Sequence, residues 1–209
     1  MQKHEWKKSE KNIYLPGSSP EIVTIPEYQF VMIDGSGNPN SDEFARKVAA
    51  LYAISYTIKM LPKKGFLPEG YFDYAVYPLE GVWDLSDEGK KSSVLCKDEL
   101  IYTVMIRQPD FVNNDVFSIA LNTASKRIDT GLAGLLRFSK FKEGLSVQML
   151  HTGPYEDEPS SFLRMKIFTE QNNLKRLSMQ HREIYLTDAR KTEPAKQTTV
   201  LRYMVKPIQ

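Results

Sequence analysis

Hydrophobic positions recur along the chain with two different spacings, and the order of these spacings predicts the elements. An apolar run at residues 30–33 predicts a strand that ends in the glycine-rich turn DGSG. Over residues 44–58, apolar side chains recur every three or four positions, which predicts a helix. Asn40, with Glu43 three positions later, has the spacing of a capping box at the start of that helix. Four lysines near the start, among them Lys7 and Lys8, predict a solvated, mobile leader.

The same order of elements occurs twice. In the first half, the segments YFDYAVYPL and ELIYTVMIRQP predict two strands after the helix, and a second helix is expected from about Asn113. In the second half, GLSVQMLHTGPY predicts a strand with a Gly-Pro turn, and EPSSFLRMKIFTEQNN predicts a helix with Pro159 near its start. HREIYLTD and TTVLRYMVKPI predict two more strands. The pattern is therefore strand, helix, strand, strand in both halves.

This repetition predicts an α+β fold with two modules related by a pseudo-twofold axis. The modules would cover about residues 20–128 and about residues 129–209 of a single domain spanning 1–209. Each module would place its helices on one face of a small antiparallel sheet. The uncovered faces would then form a shared ligand cleft, because ligand sites favour such interfaces.

The segment HREIYLTD raises a question about its polar face. Strand residues point alternately to opposite faces, so Glu183 and Tyr185 share one face while Ile184 and Leu186 share the other. The polar face looks either into bulk water, as a glutamate on a strand most often does, or into a cleft. Residue pattern alone leaves both alternatives open.

Charge and cysteine content narrow the class of protein. The 28 Lys and Arg against 26 Asp and Glu give a net charge of +2, which does not favour nucleic acid as a partner. The single Cys96 excludes an intrachain disulfide framework and a multi-cysteine metal site. No apolar run approaches the roughly 20 residues of a membrane span, and the charged N-terminus lacks a signal peptide's apolar segment. A soluble, cytoplasmic protein is expected.

Several candidate residues also have ordinary structural interpretations. Tyr74 and Tyr77 favour strands, and alternation would place at most one of them in the cleft. Trp83 is equally well explained as a core residue, and Glu80 as a turn residue. His181 shares a strand face with the neighbouring glutamate, but two ligands are too few for a metal site. The DGSG turn lacks the third glycine of a dinucleotide-binding fingerprint.

Five segments in this order and spacing resemble the GyrI-like small-molecule-binding domains, which are related to the SOUL haem-binding fold. They are PEYQFVMIDGSGNPN, YPLEGVWDL, YTVMIRQPDF, LHTGPYEDEP and REIYLTDAR. The resemblance implies a cleft lined by aromatic residues around one buried glutamate. In the family that glutamate lies in a Glu-aliphatic-aromatic pattern on a late strand, which here corresponds to Glu183, Ile184 and Tyr185. By this resemblance, Glu183 and Tyr185 face the cleft.

The resemblance also implies a function. The segment before the first predicted strand is too short and proline-rich for a helix-turn-helix. The PLEGVW segment and the late glutamate resemble the stand-alone GyrI-like hydrolases that open the cyclopropane ring of DNA-alkylating cyclopropanoids, a detoxification role in bacteria. Glu183 would then be the general base and Glu80 would orient the water. A phenol, Tyr185 or Tyr155, would hydrogen-bond the developing phenolate.

The remaining expectations concern the ligand and the alternatives. Flat surfaces for a planar, lipophilic or cationic ligand would come from three aromatic residues: Trp83, Tyr74 and Tyr77. No metal and no organic cofactor are expected, nor contact with nucleic acid or membrane, and the protein would be a monomer or a homodimer. The alternative function is a binding module that sequesters drugs without turnover. A gyrase-inhibitor-like interaction surface and haem binding through His181 rank below it.

Overall fold

The computed structural model describes residues 3–208 and combines helices with antiparallel strands, which confirms the expected α+β class. The helices are α1 (Trp6–Ser9), α2 (Lys11–Tyr14), α3 (Asp42–Met60), α4 (Asn114–Ala124), α5 (Thr130–Ala133) and α6 (Glu158–Gln171). The strands are β1 (Glu21–Ser36), β2 (Leu79–Leu85), β3 (Leu100–Gln108), β4 (Arg137–Thr152), β5 (Leu174–Arg176), β6 (His181–Tyr185) and β7 (Thr198–Pro207). Short 3₁₀ turns connect them, including Tyr155–Asp157. Among the described residues, none of the helices has both the length and the apolar character to cross a membrane.

Most predicted elements are confirmed, and two local predictions are wrong. The segment at residues 71–78 is not a strand, because only Tyr74 forms a bridge there, with His4. The strand of this region is β2, which begins at Leu79, after Pro78. The cap of α3 is Ser41 rather than Asn40, since the Ser41 side chain accepts a hydrogen bond from the backbone N–H of Phe44 at 3.3 Å.

The described chain forms two compact units, and each draws on separated parts of the sequence. Unit 1 contains residues up to Glu5, Tyr28–Leu79 and Asp84–Phe141. Unit 2 contains Trp6–Glu27, Glu80–Trp83 and the residues from Lys142 onward. Strands β1, β2 and β4 each contribute a segment to both units. The predicted division into modules at about residues 128 and 129 stays a prediction.

In unit 1, helices α3 and α4 pack together and α3 packs on β3. Strands β1 and β3 pair antiparallel from Gln29 opposite Gln108 to Ser36 opposite Ile101. Consecutive side chains are buried in the middle of each strand, at residues 30–33 and 104–108, so both faces of the pair are covered. They are fully buried at Val31, Ile33, Val104 and Ile106.

In unit 2, β7 is the central strand. It pairs antiparallel with β4, β5 and β6, and β6 pairs in turn with β2 over Glu80–Trp83. Helix α6 contributes the buried side chains of Met165 and Thr169. The apolar core consists of seven buried residues: Val147, Met149, Met165, Leu174, Leu201, Tyr203 and Val205.

The N-terminal segment of unit 2 is not a mobile leader, contrary to the sequence-based expectation. Lys7 and Lys8 are exposed, but Trp6, Ile13 and Tyr14 beside them are buried. Two backbone carbonyls of the segment also accept side-chain hydrogen bonds. Gln148 donates to Asn12 at 2.8 Å, and Arg202 donates to Ile13 at 2.6 Å. Burial of the apolar side chains and these bonds fix the segment against β4 and β7.

Candidate active site on strands β2 and β6

The register of β2 against β6 decides which side chains share a face. Residues directly opposite one another in an antiparallel pair point to the same side. Glu183 lies opposite Gly81, and His181 lies opposite Trp83. Tyr185, two positions beyond Glu183, points to this same side. One face of the pair therefore carries both residues of the Glu-aliphatic-aromatic pattern together with an indole and an imidazole.

A chain of hydrogen bonds runs across this face and ends on the Glu183 carboxylate. The Trp83 Nε1–H donates to the Tyr185 hydroxyl at 2.9 Å. That hydroxyl donates to Glu183 Oε2 at 2.7 Å, and His181 Nε2 lies 3.1 Å from Glu183 Oε1. Both carboxylate oxygens are thus held in place, and each keeps a lone pair for a further donor.

Gly81 makes this arrangement possible. A Cβ atom at this position would lie 2.5 Å from Trp83 Nε1 and 3.3 Å from the Tyr185 hydroxyl. The first distance is far below van der Waals contact, so any side chain here would displace the indole. The glycine in PLEGVW is therefore required by the close approach of the Trp83 ring to the strand.

Tyr155 adds an exposed aromatic ring to the face. It lies in the 3₁₀ turn before α6, and its ring meets the Tyr185 ring edge to face, with centroids 6.1 Å apart. Tyr155 is 38% exposed, whereas the Glu183 side chain is 12% exposed. Among residues 3–208, Tyr155 forms no side-chain hydrogen bond. Its hydroxyl is thus available to a bound molecule, and the carboxylate behind it is largely screened from water.

The two phenols remain protonated at neutral pH. Burial raises the pKa of Tyr155 to about 12, with a further contribution from the Glu183 carboxylate. Burial and the same carboxylate raise the pKa of Tyr185 well above its usual value. Both hydroxyls are therefore hydrogen-bond donors. Tyr185 uses its proton on Glu183, which leaves Tyr155 as the donor available to a ligand.

Glu80 is not brought together with these residues. It lies opposite Ile184, on the other face of the β2–β6 pair from Glu183. Glu80 is 2% exposed, forms an ion pair with Arg182 and accepts a 3.4 Å hydrogen bond from Tyr14. Its carboxylate completes a buried charge network, and nothing in this arrangement supports the predicted role of orienting water for Glu183.

Tyr74 and Tyr77 belong to unit 1 and are buried, at 1% and 3% exposure. Because the segment is not a strand, the argument from alternation does not apply to them. The Tyr77 ring packs against the Arg107 guanidinium, 4.6 Å from its centroid, and its hydroxyl is 3.4 Å from His4 Nε2. Lys59 packs over the Tyr74 ring. Both tyrosines have packing roles, and their contact with a ligand stays a prediction.

Sequence analysis missed one carboxyl of this region, Glu158. It is the first residue of α6, is 7% exposed, and its Oε1 has no hydrogen-bond partner among the described residues. Burial raises its pKa to about 9, and the charges of Glu183 and Glu156 add to the effect. A glutamate one residue before a proline at a helix start normally indicates only a solvated first turn, so its burial is not apparent from the residue pattern.

Comparison with known proteins places the chain in a family. The GyrI-like small molecule binding domain matches residues 18–206. The chain belongs to this GyrI-like family. Its members share a small-molecule-binding domain, so the β2–β6 face is interpreted as part of such a domain. A search of curated proteins finds no match.

Solved GyrI-like structures from Listeria innocua are similar over nearly the whole chain. One, described as a hydrolase, is 37% identical with a TM-score of 0.87 and is covered in full by 98% of this chain. Another, described as a hydrolase encoded by lin2189, is 37% identical with a TM-score of 0.89 at the same coverage. The EcmrR C-terminal domain, 14% identical with a TM-score of 0.56, shares the fold.

The GyrI-like chain also has a groove away from the β2–β6 face. This polar groove of about 570 Å³ lies beside the start of α6 and is lined by residues that include Ser18, His151, Ser161 and Arg164. It contains none of the predicted site residues. Within the part of the chain that the structure describes, no group of three or more His, Cys, Asp or Glu could hold a metal ion.

Proposed function

We propose that this GyrI-like protein hydrolyses a planar, lipophilic small molecule by adding water to a cyclopropane ring conjugated to a carbonyl group. Such rings occur in cyclopropanoid DNA alkylators, so the activity would detoxify them. The observation that carries the proposal is the Glu183 carboxylate. It is held by Tyr185 and His181, screened from bulk water, and forms no ion pair with a lysine or arginine among the described residues.

The reaction needs a base because water is a weak nucleophile. As water attacks the strained ring carbon, Glu183 takes a proton from it through a remaining lone pair. The ring C–C bond breaks, and its electron pair moves through the conjugated system to the carbonyl oxygen. That oxygen thereby gains negative charge and becomes a phenolate as the adjacent ring becomes aromatic.

Tyr155 is the donor that can stabilise this oxygen. Its hydroxyl is protonated and has no hydrogen-bond partner among residues 3–208, and the residue is 38% exposed, whereas the Tyr185 proton is used on Glu183. A hydrogen bond that strengthens as charge develops lowers the barrier selectively. The Tyr155 ring, set at 89° to the Tyr185 ring, also offers an aromatic surface to a planar ligand.

The Listeria relatives support hydrolysis in general terms, because two of them are described as hydrolases and align over their whole length. The substrate class is our inference from the site. A carboxylate without a lysine or arginine partner among the described residues, beside exposed aromatic surface, would favour any planar molecule with an electrophilic carbon, and cyclopropanoids combine both properties.

A second candidate is binding without turnover. The same observation favours it, because a carboxylate with no lysine or arginine partner attracts a cationic ligand, and aromatic rings add cation–π contacts. Such a module would sequester planar cations stoichiometrically. Hydrolysis would form more moles of product than there are moles of enzyme, whereas sequestration would leave the ligand chemically unchanged.

The test is hydrolysis of a cyclopropane-containing DNA alkylator by purified protein under single-turnover and multiple-turnover conditions, followed by chromatography and mass spectrometry. Native protein is compared with Glu183→Gln. The matched control is Glu193→Gln, an exposed carboxylate paired only with Lys196. We expect native protein and the Glu193→Gln control each to form product in large molar excess over enzyme. Glu183→Gln should lose about 10²- to 10⁴-fold in turnover while still binding.

Two outcomes would contradict the proposal. If native protein returns the alkylator unchanged but binds it, sequestration replaces hydrolysis, and a panel of planar cations becomes the next set of ligands. If Glu183→Gln hydrolyses as fast as the control, the reaction occurs but the base lies elsewhere.

A further inference from the structure

Glu158 differs from the other buried carboxyls of unit 2. Glu80 and Glu143 both form ion pairs with buried arginines. Glu158 has no such cation: no described residue forms an ion pair with it, and its Oε1 has no hydrogen-bond partner. A buried polar atom without a partner is costly to keep, and native proteins seldom retain one without a use.

The titratable groups that act on Glu158 are acids, and the basic groups nearby already form hydrogen bonds with other residues. Glu183 and Tyr185 act on it from β6, and Tyr155 and Glu156 from the turn before α6. On β4, the two ring nitrogens of His151 are bonded to Ser161 and to the Pro154 carbonyl, at 2.9 and 3.1 Å. Arg164 on α6 donates to the carbonyl of Ser18. Among the described residues, the N-terminal end of α6 acts in the opposite direction, because it favours negative charge.

The two carboxyls of the site have different surroundings. Burial, with the charges of Glu183 and Glu156, raises the pKa of Glu158 to about 9, so this carboxyl is protonated at neutral pH. Glu183 instead accepts a hydrogen bond from Tyr185 on one oxygen, and His181 Nε2 lies 3.1 Å from the other oxygen. Pairs of carboxyls whose environments differ in this way commonly act as acid and base in one reaction.

We propose that Glu158 is the general acid of the site and donates its proton to the carbonyl oxygen of the bound molecule as Glu183 takes a proton from water. This inference rests on the proposed hydrolysis. It also specifies the ligand: the planar molecule must present a hydrogen-bond-accepting oxygen conjugated to its reactive carbon.

The proton balance of the step is complete. A C–O bond forms between water and the ring carbon, the ring C–C bond breaks, and the electron pair reaches the carbonyl oxygen. Glu183 gains the proton of water and Glu158 gives its own proton to that oxygen, so the product is a phenol bearing a new hydroxyl. Return of one proton from Glu183 to Glu158 restores the starting state, and the net change is addition of one water.

The experiment compares native protein with Glu158→Gln, with Glu170→Gln as the matched control. Glu170 lies on the same helix, is exposed and pairs with Lys166. First, infrared spectroscopy at pH 7 measures the C=O stretch of a protonated carboxyl. This band should be present in native protein and in the control, and absent in Glu158→Gln.

Second, turnover of the same cyclopropane-containing alkylator is measured against pH. Native kcat should fall as pH rises past about 9, because the acid loses its proton. Glu158→Gln should lose this basic limb and about 100-fold in kcat, with KM little changed. Glu158→Asp, which keeps an acid on a shorter side chain, should recover part of the activity together with the basic limb.

The outcomes separate failure of the inference from failure of the proposed function. Absence of the infrared band in native protein overturns the inference whatever the activity. Equal turnover by native protein and Glu158→Gln also overturns it, but leaves Glu183 and the hydrolysis standing. No turnover by native protein overturns both. If Glu158→Gln is poorly folded, the native infrared band and the Glu158→Asp pH profile still decide the question.

Discussion

On one face of the β2–β6 strand pair the Glu80 carboxylate is ion-paired with Arg182, whereas on the other face the Glu183 carboxylate is held by Tyr185 and His181. The two glutamates are neighbours in register, since Glu80 lies opposite Ile184, the residue after Glu183. Residue type and strand position are therefore nearly the same for both. The partner decides whether each carboxylate stabilises the fold or remains available for chemistry.

The Glu80 face forms a network in which the charges balance. Arg182 and Arg202 lie directly opposite one another on β6 and β7, and Glu143 pairs with both at 3.1 and 3.0 Å. Although burial alone would raise it, the two guanidinium groups hold the pKa of Glu143 below its usual value. Two arginines thus face two glutamates, and Gln148 accepts two further hydrogen bonds from Arg202. Such a network has no charge to offer a ligand.

The largest effect expected from this contrast is on stability. Glu80→Gln should lower the free energy of unfolding by about 3–5 kcal/mol, because it leaves the buried Arg182 with one carboxylate fewer. Glu183→Gln should change it by less than about 1 kcal/mol, since no buried arginine depends on that carboxylate. Urea unfolding of both variants measures the difference. Equal losses would show that the two faces share one structural role.

The next effect concerns Gly81, which lies opposite Glu183 on the same face of the strand pair. Gly81→Ala should cost about 1–3 kcal/mol of stability and displace the Trp83 indole from Tyr185, because the added Cβ overlaps Trp83 Nε1. Tryptophan fluorescence in a Trp6→Phe background reports the displacement. Gly134→Ala is the matched control, as its Cβ would meet no atom within 4 Å. An unchanged Trp83 spectrum in Gly81→Ala would contradict the proposed close packing.

The third effect is on the pH dependence of stability, where two carboxyls act in opposite directions. The pKa of Glu143 is lowered from 4.5, so its stabilisation is present above pH 4.5 and lost as pH falls. The pKa of Glu158 is raised from 4.5 to about 9, so its stabilisation is present below pH 4.5 and lost as pH rises toward 9.

Urea unfolding between pH 3 and pH 10 assigns these two effects. The stability deficit of Glu143→Gln relative to native protein should shrink as pH falls. Glu158→Gln should gain stability relative to native protein as pH rises from 5 to 9. Parallel curves for native protein and Glu158→Gln would mean that Glu158 is ionised in the folded state.

Sequence patterns predicted the three long helices α3, α4 and α6 and most strands. Hydrophobic periodicity is clear in α4, where the buried residues Val116, Ala120 and Ala124 are spaced four positions apart. Residues 71–78 misled the prediction because tyrosine and valine favour strands, whereas here Tyr74 and Tyr77 are buried without a partner strand apart from one bridge. Strand propensity describes the preference of a residue type, but tertiary packing determines whether a strand forms at residues 71–78.

For the site, alternation along HREIYLTD correctly separated Glu183 and Tyr185 from the buried Ile184. The hydrogen bond from Trp83 to Tyr185 depends on the register between two strands that are about 100 residues apart, which the sequence does not display. The same register sends Glu80 to the opposite face. Glu158 was missed because its burial depends on how α6 meets β6, and its local sequence resembles an ordinary helix start.

The tie between Arg202 and the backbone of Ile13 has a consequence for how the protein is made. The unit that carries Glu183 is assembled from an early segment of the chain and from β4 to β7, so its core cannot form before β7 has been synthesised. Unit 1, by contrast, is encoded almost entirely before residue 142 and can fold during translation. During synthesis, the early segment of unit 2 therefore cannot reach its final packing until β7 has been made. The β2–β6 face that carries Glu183 is therefore expected to acquire its structure after unit 1.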